Sequence, residues 1–86
     1  MKPEGQIQIY GTKWCPDCMR VKQVFSRHKI TYAWYDIEQD EQSSAYVEKI
    51  NGGYKSVPTI VFPDGSILVE PGNTELEKKL AEAGYQ

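Results

Sequence analysis

The chain's two cysteines, Cys15 and Cys18, lie in the segment Thr12-Lys13-Trp14-Cys15-Pro16-Asp17-Cys18, between a strand-like apolar run and a helical pattern. That placement restricts the fold more than any other feature. A helix beginning at Pro16 puts Cys15 at its N-cap and Cys18 on its first turn, with both sulfurs on one side and able to bridge. The free N–H groups and the positive dipole end at such a terminus favour Cys15 as thiolate. Pro16 loses nothing at the first helical position, because its missing N–H would have had no intrahelical partner. A bridge closing so short a loop would constrain the unfolded chain little, so the pair reads as a reactive dithiol rather than a staple.

The flanking periodicities supply the frame. Gln6-Ile7-Gln8-Ile9-Tyr10 alternates as a strand does, and Gly11 to Trp14 form a loop. From Pro16 to His28, an apolar stripe of Met19, Val21, Val24 and Phe25 opposes a wet face of Arg20, Lys22, Gln23 and Arg27. Tyr32 to Ile37 is a second strand. Asp40 can N-cap a helix running to Ile50, with Tyr46, Val47 and Ile50 inward and Gly52-Gly53 beyond its end. Ser56 to Phe62 reads as a third strand, and Pro63-Asp64-Gly65-Ser66 as a turn into Ile67-Leu68-Val69. Pro71-Gly72-Asn73 opens a last helix from Thr74 to Ala83, burying Leu76 and Leu80. The order β-α-β-α-β-β-α makes the first two strands parallel and the last two antiparallel. Helices then cover both faces of a four-stranded mixed sheet, an α/β fold.

With no repeat, low-complexity tract or linker, residues 1–86 form one expected domain. A net charge of -2 and a pI near 5.3 argue against nucleic acid, which wants a basic face. No apolar run approaches the ~20 residues of a membrane span. Met1-Lys2-Pro3-Glu4-Gly5 lacks the apolar core of a signal peptide, which points to the cytoplasm, where structural disulfides are disfavoured.

The dithiol after the first strand, the element order and Val57-Pro58 downstream together resemble the thioredoxin fold, and at this length the glutaredoxin family. Tyr35-Asp36-Ile37-Glu38, Asn51-Gly52-Gly53, Ser56-Val57-Pro58-Thr59 and Asp64-Gly65-Ser66 are most similar to mycoredoxin-like and actinobacterial glutaredoxin-like proteins. The resemblance implies a thiol–disulfide oxidoreductase with Cys15 as exposed nucleophile and Cys18 as buried resolving thiol. It implies a cis Pro58 facing the cysteines, and a Val57 whose backbone N–H and C=O meet the substrate chain like a short added strand. Trp14 is expected to pack partly over the site and, with Pro16, to meet substrate. Lys13 either stabilises the thiolate or is a solvated loop lysine. Asn73 and Thr74 sit where glutaredoxins seat a small-thiol carboxylate on a helix N-terminus, yet Glu70-Pro71-Gly72-Asn73-Thr74 lacks the usual Gly-Gly-x-Asp-like signature, and a plain N-cap is the competing reading.

Asp17 stands where many glutaredoxins carry tyrosine. Its carboxylate opposes thiolate formation by like-charge repulsion, so the expectation is a couple more reducing than a Pro-Tyr pair would give. His28 near a helix C-terminus calls for no catalytic role. Tyr10 is either core or site, and Glu38-Gln39-Asp40-Glu41 is a solvated loop and helix start. The expected protein is a cytoplasmic monomer with no bound cofactor or metal. Electrons would come from glutathione, mycothiol or a similar small thiol, or from a thioredoxin-reductase-like flavoprotein, and the partners would be disulfide-bearing proteins. A close relative within this class donates electrons to ribonucleotide reductase. The alternatives are an iron–sulfur carrier dimer bridged through Cys15, although the single-cysteine Cys-Gly-Phe-Ser segment of such carriers is missing, and a metal module. Two cysteines cannot complete a tetrahedral zinc site alone.

Overall fold

Ile7 and Ile9 turn to one face of the sheet and Tyr10 to the other, and this alternation organises the whole chain. The computed structural model describes residues 6–85; Met1 to Gly5, where a signal-peptide core was sought, and Gln86 lie outside the described residues. The strands are β1 (Ile7–Gly11), β2 (Tyr32–Asp36), β3 (Thr59–Val61) and β4 (Ile67–Val69). They form one sheet in the order β2-β1-β3-β4. β1 runs parallel to β2, with Ile9 opposite Trp34, and antiparallel to β3, with Ile9 opposite Ile60. β3 and β4 are antiparallel. The mixed four-stranded sheet expected from the sequence is therefore present.

Helices α1 (Pro16–Arg27) and α3 (Asn73–Glu82) cover the face of Ile7, Ile9 and Ile60, burying Val21, Val24, Phe25, Leu76 and Leu80 against them. Each such side chain contributes about 1.5–3 kcal/mol. Helix α2 (Glu41–Ile50) buries Val47 on the opposite face with Tyr10 and Ile37. Tyr10 is core: its ring stacks on Tyr35 with centroids 5.0 Å apart, and burial pushes its hydroxyl up to about 12. His28 caps the C-terminus of α1 and bonds Glu77 on α3 at 3.1 Å, a link between two helices.

Several details differ from the sequence reading, beginning with Gly11, which is the last residue of β1 and pairs with Asp36 instead of opening the loop. Met19 is exposed, and Cys18 takes the inward position, because the buried stripe of α1 follows residues 18, 21, 24 and 25. Tyr46 is exposed too, its ring tilted against Tyr10 while Val47 fills the interior. The third strand is shorter than Ser56 to Phe62. Pro58 has no N–H to give the ladder, and Phe62 already bonds Ser66 across the turn. Helix α3 begins one residue early and its N-cap is Gly72, which offers no side-chain cap.

Gly11 ends β1 on the same face as Ile7 and Ile9. A Cβ at this position would fall 2.5 Å from Cys18 Sγ and 2.8 Å from Trp34 Cη2, so only glycine lets the thiol and the indole approach the strand together. Gly11→Ala is expected to destabilise the protein by about 1–3 kcal/mol through overpacking, read as a lower urea midpoint at unchanged slope. A wild-type midpoint would contradict this account of the β1 end.

Candidate active site

Cys15 has extended backbone angles (φ -83, ψ 114) and caps α1, with Pro16 at the first helical position. The amide of Cys18 donates to Cys15 Sγ at 3.2 Å, placing a backbone dipole directly on the sulfur. This bond also corrects one expectation. Cys15 is only 7% exposed, because its sulfur folds back over the first helical turn to accept the amide instead of projecting into solvent. Cys18 is fully buried, as expected. Both are free thiols.

The surroundings hold Cys18 in its protonated form. Its thiol is pushed from an ordinary 9.0 up to about 12, chiefly by burial and next by its hydrogen bond to the Cys15 side chain. The charges of Cys15 and Asp17 add to the rise, while a backbone hydrogen bond from Thr12 acts against it.

A cleft of about 590 Å³ opens beside the dithiol loop. Thr12 and Trp14 line it from that loop, Glu38 and Glu41 from the junction of β2 and α2, and Lys55 and Val57 from the segment before β3. The Val57–Pro58 bond is cis, as the resemblance implied, and Pro58 is buried with its carbonyl accepting from Glu70 N–H at 2.8 Å. Among the described residues the backbone N–H and C=O of Val57 take no partner. Trp14 is 68% exposed, so it stands out from the site rather than covering it; its indole N–H is held by Glu38 Oε2 at 2.9 Å. The acidic cluster read as a solvated loop is thus part of the cleft wall. Lys13 and Pro16 are exposed, and neither lines the cleft.

Asn73 and Thr74 lie at the start of α3 and do not line that cleft, yet Asn73 is tied to the helix of the dithiol through Arg20. The guanidinium of Arg20 donates to Asn73 Oδ1 at 2.7 Å and to the Pro71 carbonyl at 2.9 Å, and sits 3.5 Å from Asp17 Oδ1. The Asn73 side chain is therefore engaged by Arg20 and caps nothing, which overturns the plain N-cap reading of this residue.

The glutaredoxin family model matches residues 7–67, from β1 to the start of β4. The chain belongs to the glutaredoxin family. It is 38% identical to a Mycobacterium tuberculosis protein named as a glutaredoxin, over 88% of this chain and 90% of that one. It is 31% identical to Mycoredoxin 1 of Corynebacterium glutamicum, over 88% and 94%. Among solved structures, a mutant form of the thioredoxin-like protein BC3987 superposes with a TM-score of 0.76 at 25% identity, covering 87% of this chain and 99% of that one. A glutaredoxin from Archaeoglobus fulgidus shares the fold with a TM-score of 0.69 at 23% identity, covering 86% and 84%.

Sequence reasoning missed Gly11, Arg20, Lys55 and the role of Glu38 and Glu41 in this glutaredoxin. Only the position of Gly11 at the strand end, immediately before the dithiol loop, carried a readable signal. Arg20 partly offsets the Asp17 carboxylate beside the cysteines. Arg20→Gln is expected to make the couple more reducing by roughly 10–20 mV, the equivalent of about 0.5–1 kcal/mol, and Asp17→Tyr to move it the other way. Redox titration against a thiol buffer reads both shifts, and an unmoved potential in the pair would remove Asp17 and Arg20 as tuning groups.

Proposed function

We propose that this glutaredoxin reduces protein disulfides, and mixed disulfides between a protein and a small thiol, by exchange at Cys15 and Cys18. The observation that carries the reading is the unequal treatment of the two sulfurs. Both are buried, but one receives a backbone amide at the helix start, and the other, wholly enclosed, is held as a thiol.

The Cys15 thiolate attacks one sulfur of the substrate disulfide. A Cys15–substrate disulfide forms, and the other substrate sulfur leaves as a thiolate and takes a proton. Cys18 then gives up its proton and attacks Cys15 Sγ, forming the Cys15–Cys18 disulfide and expelling the second substrate sulfur. Two electrons pass to the substrate, and the dithiol is oxidised. The timing follows from what raises the Cys18 thiol. Its hydrogen bond to Cys15 and the charge on Cys15 contribute only while Cys15 is reduced. Capturing substrate removes both, so Cys18 becomes easier to ionise at the step that needs its thiolate.

Val57, with an unpaired backbone N–H and C=O in the cleft, would align an extended substrate segment. Trp14 would give that segment an apolar wall. At the start of α3, Gly72 provides no side-chain cap, which leaves the first amides of the helix, Asn73 and Thr74 among them, for the carboxylate of a small thiol. A small thiol of the glutathione or mycothiol kind, or a flavoprotein reductase, would return the dithiol to its reduced form. No described helix is long and apolar enough to cross a membrane.

Cys15→Ser is expected to abolish reduction of every disulfide. Cys18→Ser is expected to retain reduction of small-thiol mixed disulfides, because a second small thiol can release Cys15, and to lose reduction of protein disulfides. Turnover assays on the two substrate types check this. Activity surviving Cys15→Ser would overturn the mechanism, and loss of both activities in Cys18→Ser would restrict it to the dithiol route.

A further inference from the structure

The cleft beside the dithiol loop, which Trp14 next to Cys15 lines though neither cysteine does, carries an uneven charge. The β2–α2 junction contributes two carboxylates, Glu38 and Glu41, while the segment before β3 contributes one ammonium, Lys55. Glu38 also accepts the indole N–H of Trp14. Its carboxylate is thereby fixed next to an aromatic ring that remains 68% exposed. A carboxylate and an aromatic face side by side both attract cations. Thr12 adds a further group to the same wall: its side-chain hydroxyl is buried and has no hydrogen-bond partner among the described residues, whereas buried polar groups in folded proteins are usually partnered.

We propose that this cleft selects protein disulfides that carry a lysine or arginine within a residue or two of the reacting cysteine. The cation seats against Trp14, Glu38 and Glu41 while the segment's backbone runs along Val57. The inference rests on the dithiol reading above and adds the class of substrate. The chemistry of exchange is unchanged; the charge of the cleft acts on docking. A free carboxylate brought to the Trp14 side of the cleft would meet Glu38 and Glu41, so acidic segments are disfavoured there.

The test uses the prereduced full-length protein in single turnover against three short peptides, each closed by one internal disulfide. The peptides differ only in having Lys, Gln or Glu next to the reacting cysteine. Acid quenching and mass spectrometry give the half-saturating concentration for each. The Lys peptide should half-saturate at a concentration about threefold to tenfold below that of the Glu peptide, and the ratio should shrink at high salt. Glu41→Gln should narrow the ratio, and Glu41→Lys should reverse it. Equal constants for the three peptides, or a preference for the Glu peptide that would assign control to Lys55, would overturn the proposal. So would an effect of Glu41→Gln confined to the small cationic disulfide cystamine, which would make the cleft a small-amine site. Failure to reduce even the Gln peptide would instead bring down the dithiol reading itself.

Discussion

The hydrogen bond from the Cys18 amide to Cys15 Sγ, 3.2 Å long, is the contact on which the site depends. It satisfies one of the helix's otherwise unpaired amides, fixes where α1 begins and sets the positive end of an amide dipole against one sulfur of the pair. A serine or aspartate could cap the helix as well. In the proposed mechanism, cysteine at this position makes the cap itself the reacting group, so fold and chemistry would share a single bond.

The asymmetry of the two cysteines follows from that geometry and from the end of β1. Cys15 retains a small opening to solvent beside an exposed tryptophan, whereas Cys18 is enclosed against Gly11 and Trp34. Enclosure raises the Cys18 thiol, and in the proposed mechanism this would keep it silent until Cys15 has been spent. In the proposed function, recognition would divide between two regions around this centre. The cleft of Trp14, Glu38 and Val57 lies on one side, and the uncapped start of α3 lies on another, joined to the dithiol helix by Arg20.

What the sequence made readable was whatever depends on neighbours along the chain. Alternation placed β1, the residues around Asp40 placed the start of α2, and Pro16 after Cys15 placed the start of α1. Contacts between distant segments were not readable. Arg20 looked like a solvent-facing helix residue because its partners at Pro71 and Asn73 belong to another element. Glu38 looked like loop because only the folded chain brings it to Trp14. Cys15 was expected in the open because family roles describe reactivity; its burial comes from the rotation of the sulfur toward the Cys18 amide. Lys29 turns the end of α1 with φ 55 where glycine would ordinarily be sought, so composition there offered no signal.

Competitive alkylation of the reduced protein, mapped to each cysteine by mass spectrometry from about pH 7 to about pH 9, tests the central claim most directly. The account predicts label on Cys15 alone throughout, with Cys18 modified only once the protein is unfolded. Equal labelling of the two sulfurs, or label arriving first on Cys18, would contradict it.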